Sequence, residues 1–213
     1  TATSSNFEVG KERIMETALK LFAEKGYLGT SMNDIAKQLG FTKAALYKHY
    51  TGKQEILNRI VERMNETDYE RAKQFEMPEG NLTEIVAAYQ KTPIEKVRAY
   101  SKAQFLHWTE EEFPSRFRKM LTLEQYRDPE MAQLYQKYLA TGPVDYMAAI
   151  FRGLTDSEEA AQHLALEFYG PMFLLYSVSD SGAEQEQVLS LLDAHIDRFI
   201  HQMESVYRKE ART

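Results

Sequence analysis

The residues best suited to chemistry on a nucleic acid are concentrated near the amino terminus. Residues 42–53 contain three lysines, two tyrosines and one histidine. Ammonium, phenol, hydroxyl and imidazole groups can donate hydrogen bonds to phosphate oxygens and to base edges. Helices expected to start at Ser31 and Thr42 would add backbone N–H donors for a phosphate. This set of residue types indicates contact with phosphates and bases.

Two short helices are expected to position these residues. Ser31, with Asp34 three residues on, has the pattern of a helix N-cap and capping box, and the helix that it opens ends before Gly40. Thr42 is expected to cap a second helix over 43–49. The spacing of the pair is typical of a helix-turn-helix. An ordinary helical hairpin with a polar exposed face has the same spacing, so both interpretations stay open on spacing alone.

The order of residues within 26–57 is more specific than the spacing. The diagnostic residues are Gly26, Tyr27, Thr30, Ser31, Met32, Asn33, Asp34, Ile35, Ala36, Leu39, Gly40, Phe41, Thr42, Lys43, Ala44, Ala45, Leu46, Tyr47, Lys48, His49, Tyr50, Lys53, Glu55, Ile56 and Leu57. This stretch resembles the DNA-binding domain of TetR/AcrR-type transcriptional regulators. The resemblance implies three helices forming a DNA-binding head, with a fourth helix linking it to a larger helical domain. It also implies a homodimer that binds a palindromic operator in double-stranded DNA, and a small-molecule effector that releases it.

The resemblance also implies which residues contact DNA. They are Thr30, Ser31, Thr42, Lys43, Ala44, Ala45, Tyr47, Lys48, His49 and Lys53. Positions matching Tyr47, His49, Lys53 and the Thr30–Ser31 cap usually hold phosphates in this family. The chain departs from the family at Thr51–Gly52, which replaces a commoner polar N-cap. Ala44 and Ala45 have no side-chain donors, so contact there would be apolar, such as with a thymine methyl group.

The net charge of −6 seems to oppose a nucleic-acid partner, but the charge is unevenly distributed. Residues 1–60 carry nine basic and six acidic residues, a net of +3, and residues 61–213 carry seventeen and twenty-six, a net of −9. The chain has no cysteine, which excludes disulfide scaffolds, thiol nucleophiles, zinc fingers and iron–sulfur ligation. The first ten residues have neither the basic nor the apolar region of a secretory signal, and we expect a cytoplasmic protein without membrane spans.

Apolar periodicity and the placement of proline and glycine predict an all-α chain. The predicted helices are a first one from about Lys11 ending near Gly26, then 32–39, 43–49, about 55–75, 82–91, 94–111, 114–126, 129–152 with an interruption at Gly142–Pro143, 156–178 and 184–208. We expect a helix-turn-helix domain over 8–53 and an effector-binding and dimerisation domain over 54–213.

The second domain holds nineteen of the twenty-five aromatic residues, including the only tryptophan. Aromatic residues at helical spacing belong to a hydrophobic core more often than to a pocket, and this alternative stays open for each of them. Several phenols could nevertheless orient a largely apolar ligand. The candidate pocket residues, placed between the middle helices by analogy with the family, are Tyr100, Gln104, Trp108, Phe117, Tyr126, Tyr146, Phe168, Tyr169 and Met172.

The last two predicted helices have apolar faces that suggest a dimer interface. The final helix carries a coiled-coil-like stripe that continues to Val206, and the preceding helix offers small residues for close approach. A four-helix interface would use two helices of each subunit, and an intrachain core is the alternative. The expected interface residues are Ala161, Leu164, Ala165, Val188, Leu192, Ile196, Phe199 and Met203.

Other functional classes find little support in the sequence. His107 with Glu111 and His163 with Glu167 share helix faces, but metal sites bring three or four ligands, and no metal or cofactor is expected. The chain has no glycine-rich phosphate loop and no nucleophile elbow, so we do not expect an enzyme. The expected function is a ligand-responsive repressor. A helical sensor or carrier without specific DNA binding, a helical enzyme and an activator are the alternatives.

Overall fold

A computed structural model describes the backbone of residues 2–210 and the side chains of residues 7, 8 and 10–204. Within these residues the chain forms α-helices, one 3-10 turn over Arg152–Leu154 and no strand, which confirms the all-α prediction. The helices are α1 (Ala2–Lys25), α2 (Met32–Leu39), α3 (Lys43–Tyr47), α4 (Lys53–Gln74), α5 (Leu82–Tyr89), α6 (Ile94–Thr109), α7 (Glu112–Glu124), α8 (Pro129–Leu139), α9 (Thr141–Phe151), α10 (Glu158–Asp180) and α11 (Gln185–Glu210). None of the described helices is long and apolar enough to cross a membrane.

The helices form two compact units. The first unit comprises residues up to Arg71 together with Glu110–Lys137, and the second comprises Ala72–Thr109 together with the residues from Tyr138 onward. Compactness therefore groups α7 and most of α8 with the amino-terminal helices. The functional division into 8–53 and 54–213 stays a prediction.

In the first unit, α1 packs against α7 and α2. The buried face of α1 includes Ile14, Met15 and Phe22, and α7 contributes Phe117 and Met120, all five inaccessible to solvent. Removing these apolar side chains from water is the main force that holds the helices together. The helix-turn-helix therefore rests on a core to which α7 contributes directly.

The predicted caps of α2 and α3 are present. The Asp34 N–H donates to Ser31 Oγ at 3.1 Å, and the Ser31 N–H donates to Asp34 Oδ2 at 2.8 Å, which completes the capping box. Gly40 ends α2 with a φ of 67°, a left-handed conformation that favours glycine. Thr42 Oγ1 accepts a hydrogen bond of 3.1 Å from the Ala45 N–H at the start of α3. These local interactions fix the turn between the two helices.

In the second unit, α10 packs against α6, α9 and α11. Phe168 on α10 lies 4.9 Å from Phe199 on α11, measured between ring centroids. The buried Tyr169 hydroxyl donates to the Leu139 carbonyl at 2.7 Å. Lys102 and Asp193 form an ion pair of 2.7 Å between α6 and α11. Aromatic packing with a few polar contacts therefore organises this unit.

Most helix boundaries lie within about two residues of their predictions, and two differ more clearly. Helix α1 begins at Ala2, whereas the sequence predicts a start at about Lys11. The break between α8 and α9 lies at Ala140, and Pro143 falls in the first turn of α9. Proline is tolerated there because the first N–H groups of a helix have no partner within the helix.

Candidate nucleic-acid interface

The second helix of the helix-turn-helix presents a polar, basic face. Lys43, Ala44 and Lys48 are exposed, and Tyr47 is 43% exposed. The Lys43 ammonium lies 5.8 Å from the centroid of the Tyr47 ring, while Leu46 points into the core. The same short helix therefore anchors itself with one side chain and presents cations and a phenol on its other side.

A groove of about 510 Å³ lies beside this face, and we call it the head groove. It is bounded by the turn before α2, the start of α2, the helix α3 and the start of α4. Its lining residues are Leu28, Gly29, Thr30, Ser31, Met32, Asn33, Lys43, Tyr47, Gly52 and Lys53. Five of the ten predicted DNA-contacting residues thus meet at one concave surface: Thr30, Ser31, Lys43, Tyr47 and Lys53. The start of α2 adds the positive end of a helix dipole to this surface.

Three of these five residues form hydrogen bonds within the protein: Ser31 in its capping box, Thr30 and Lys53. Thr30 is 1% exposed, and its hydroxyl donates to the Gly26 carbonyl at 2.8 Å. Lys53 Nζ donates to the Tyr27 carbonyl at 2.7 Å and lies 4.5 Å from the centroid of the Tyr27 ring. Burial lowers the pKa of Lys53, and the nearby carboxylates of Glu124 and Asp128 oppose that shift. Thr30 therefore stabilises the turn before α2, and Lys53 is bound to the protein backbone.

His49 follows α3 and is packed against α1. Its imidazole stacks on the Phe7 ring with centroids 4.5 Å apart. A Cβ atom on Gly10 would lie 2.8 Å from His49 Cε1, so glycine allows the ring to approach the helix. Nδ1 is buried and has no hydrogen-bond partner among the described residues. The imidazole of His49 is therefore fixed by its contacts with Phe7 and Gly10 of α1.

The remaining predicted DNA contacts take three different positions. Thr42 is exposed at the cap of α3, Ala45 is half-buried, and Ala44 and Lys48 are exposed outside the lining of the head groove. Sequence reasoning did not anticipate that Leu28 and Asn33 would line the groove. Leu28 is an apolar residue that is exposed in a turn, and only the fold shows where that turn lies.

Most of the predicted ligand-pocket residues lie in the second unit. Seven of the nine lie on α6, α9 and α10 of the second unit: Tyr100, Gln104, Trp108, Tyr146, Phe168, Tyr169 and Met172. Gln104 Nε2 donates to the Tyr100 hydroxyl at 2.8 Å. Burial raises the pKa of Tyr146, whose hydroxyl is hydrogen-bonded to Tyr89. A ligand-binding role for these residues stays a prediction.

The other two candidate pocket residues lie in the first unit. Phe117 is fully buried on α7, in the core shared with α1. Tyr126 is 90% exposed just beyond α7. A side chain this exposed lines no cavity of the protomer, so the prediction for Tyr126 is corrected. Tyr126 was predicted to line a pocket because it is aromatic, but residue type alone does not determine whether a side chain is buried.

Burial in the single chain favours the intrachain-core alternative for most of the predicted dimer stripe. Ala161, Ala165, Val188, Leu192, Ile196 and Phe199 are buried within the single chain, and Leu164 and Met203 are half-buried. The side chain of Val206 lies outside the described residues. The stripe packs α10 and α11 against their own protomer. The same two helices also carry exposed apolar side chains, namely Leu166, Phe173, Leu174 and Leu191.

Glu111, considered with His107 as a possible pair of metal ligands, forms an ion pair with Arg71 at 2.7 Å. Among the side chains that the structure describes, no group of three or more histidine or acidic residues is placed to hold a metal ion.

Comparison with known proteins identifies the amino-terminal segment. Residues 14–60 match the family model described as bacterial regulatory proteins, tetR family. A 52-residue segment is 48% identical to the negative transcriptional regulator IcaR of the icaADBC biofilm operon of Staphylococcus epidermidis. That segment is 24% of this chain and 28% of IcaR, so the sequence match spans little more than a quarter of the relative.

Solved structures resemble this chain over most of its length. GusR of Salmonella enterica has a TM-score of 0.57 at 21% identity, with 91% of this chain and 95% of GusR covered. SmeT in complex with triclosan has a TM-score of 0.58 at 19% identity, with 90% of each chain covered. At this identity the likeness concerns the fold. Residues 14–60 therefore form a domain of the TetR family of bacterial regulatory proteins.

Proposed function

We propose that this protein is a dimeric transcriptional repressor that binds a palindromic operator and is released by a small, largely apolar molecule. The observation that carries the proposal is the meeting of predicted DNA contacts at the head groove, inside the segment that matches the TetR family model. A relative that is 48% identical over 52 residues is a negative transcriptional regulator.

The DNA contact would combine phosphate binding with base contact. Lys43, Lys48 and Tyr47 are accessible and can donate to phosphates, while Ala44 offers a methyl group to the major groove. The basic excess of residues 1–60 favours approach of this end of the chain to DNA. The acidic excess of residues 61–213 would be repelled by the same polyanion. The contact is therefore confined to the helix-turn-helix.

A dimer would use the exposed apolar face of α10 and α11. Leu166, Phe173, Leu174 and Leu191 are large apolar side chains that the protomer leaves exposed to water, and burying them against a second copy would be favourable. In a twofold dimer, the recognition helices would enter successive major grooves about 34–36 Å apart. Spacing of the two helix-turn-helix segments then determines whether both can bind.

A small molecule would act on that spacing from the second unit. SmeT, whose fold resembles that of this chain, was solved as a complex with triclosan. Here the aromatic residues of α6, α9 and α10 are the corresponding candidates. If the ligand favours a spacing that DNA does not, each partner weakens binding of the other by the same factor.

The experiment is a titration of labelled duplex DNA with wild-type protein and with Lys48→Ala at several salt concentrations. The proposal predicts that affinity falls steeply with salt, and that Lys48→Ala weakens binding to every duplex by a similar factor. A loss confined to one base position would contradict a phosphate role for Lys48. Absence of binding to all fragments of the source genome would favour a sensor or carrier that does not bind DNA.

A further inference from the structure

Lys53 lies between the head groove and the carbonyl of Tyr27. On one side it lines the head groove with Ser31, Lys43 and Tyr47, where a phosphate would be bound. On the other side its Nζ donates to the Tyr27 carbonyl at 2.7 Å and lies over the Tyr27 ring. An ammonium bound to a carbonyl and an aromatic face must leave these contacts before it can bind a DNA phosphate.

Glu124, at the end of α7, is the buried charged group next to this contact. It is 0% exposed, and neither carboxylate oxygen accepts a hydrogen bond from any group that the structure describes. A Cβ atom on Gly26 would overlap Glu124 Oε1, so the carboxylate rests directly on the backbone at Gly26. The carbonyl that binds Lys53 belongs to the next residue, Tyr27. The carboxylate and the ammonium therefore contact adjacent residues of the same turn.

A buried carboxylate without hydrogen bonds is costly unless a positive charge lies near it. Lys53 supplies such a charge, because the fields of Glu124 and Asp128 both favour its protonated form. Burial raises the pKa of Tyr27, and the carboxylates of Glu130 and Asp128 add to that shift. The Lys53 ammonium and the Tyr27 phenol thus both experience a negative field from the end of α7 and the start of α8.

We propose that Glu124 is a positioning residue that restrains Lys53 on the Tyr27 carbonyl, so that this carboxylate and a DNA phosphate compete for one ammonium. Glu124 is then a negative determinant of DNA affinity. It also gives α7 a direct electrostatic connection to the DNA-binding surface, since any shift of α7 away from Gly26 weakens the hold on Lys53. The proposal rests on the DNA-binding function proposed above.

The test is a double-mutant cycle of Glu124→Gln and Lys53→Ala, measured by fluorescence anisotropy with a random-sequence 30-base-pair duplex over a range of salt concentrations. Glu124→Gln keeps the shape of the side chain and removes its charge. We expect tighter binding, by about fivefold per protomer near 0.15 M salt, and a salt slope steeper by about 0.9 for each lysine released. When Lys53 is already replaced by alanine, Glu124→Gln is expected to change the DNA affinity and the salt slope no more than the control substitution Glu110→Gln does.

The control is Glu110→Gln, which removes the same charge from an exposed position before α7. It corrects for the general gain in DNA affinity that follows from a lower negative charge. The proposal is overturned if Glu124→Gln does no more than Glu110→Gln, or if its effect persists in full without Lys53. Absence of DNA binding by the wild-type protein and all variants would instead overturn the proposed function. Circular dichroism of each variant checks that the fold is retained.

Discussion

The ring of Phe7 stacks on the imidazole of His49, with centroids 4.5 Å apart and ring planes inclined by 24°. This contact joins the first turns of α1 to the end of the recognition helix. We expect Phe7→Ala to destabilise the protein by about 1 kcal/mol, because aromatic pairs add roughly that much beyond area burial. DNA affinity should fall as well, since His49 loses its support. Urea unfolding and DNA titration measure the two effects.

Tyr126→Ala is the matched control for Phe7→Ala. It removes an aromatic ring from the same unit, but one that is almost fully exposed. Its unfolding free energy and DNA affinity should stay close to the wild-type values. Equal effects of the two substitutions would show that the stacking on His49 has no special role.

Gly26 and Gly182 form a matched pair for the role of the Glu124 contact. Both have a φ of 83°, where a residue with a side chain is strained, yet only Gly26 has an atom in the place of a Cβ. Each alanine variant should lose about 1–2 kcal/mol for the left-handed backbone. Gly26→Ala should lose more, because Glu124 must move. Thermal unfolding of both variants measures the difference, and equal losses would contradict the contact.

The dimer interface predicts opposite outcomes for two substitutions on neighbouring helices. Leu174 is 64% exposed on α10, and Leu174→Glu should give a folded monomer in sedimentation velocity. Phe199 is buried beside Phe168, so Phe199→Glu should lower the unfolding midpoint instead, because a charge would enter the core. If Phe199→Glu gave a folded monomer and Leu174→Glu left the dimer intact, the dimer interface would be the stripe that contains Phe199 and not the surface that contains Leu174.

Tyr50 should make the protein sensitive to alkaline pH. Burial, with Glu12 as the next contribution, raises the pKa of Tyr50 to about 12, and its hydroxyl donates to the Lys11 carbonyl at 3.2 Å. The unfolded chain releases this proton near pH 10. The contribution of Tyr50 to stability is therefore complete below pH 10 and is lost between about pH 10 and pH 12.

The comparison of wild type with Tyr50→Phe isolates that contribution. The variant should be less stable at pH 8, where it lacks the hydrogen bond to Lys11, and its stability should fall less steeply above pH 10. Urea unfolding at pH 8 and pH 11 provides the measurement. Parallel loss of stability in both proteins would show that Tyr50 does not titrate as its burial requires.

Local signals in the sequence were sufficient to predict most helices and caps. The Ser31 capping box, the left-handed Gly40 and the Thr42 cap depend on residues within four positions of one another, so their patterns are visible in the chain. The same is true of most helix boundaries. The start of α1 was missed because Phe7 and Gly10 contact His49, which lies about forty residues away.

The predictions that the structure does not support concern residues whose surroundings depend on long-range packing. The stripe of Val188, Leu192, Ile196 and Phe199 is a good apolar face, but periodicity cannot distinguish the protomer's own core from a second copy. Likewise, the exposure of Tyr126 depends on the direction of the chain after α7. The buried position of Glu124 against Gly26 has no sequence signature, since a glutamate at a helix end is ordinarily solvated.

The most direct test of DNA recognition is selection of bound duplexes from a random library, followed by sequencing. The account predicts enrichment of a twofold-symmetric sequence whose half-sites lie about one helical turn, roughly 10 base pairs, apart. A variant with alanine at Lys43, Tyr47 and Lys48 should lose that enrichment. Recovery of no preferred sequence by the wild-type protein, or of the same sequence by the variant, would contradict the account.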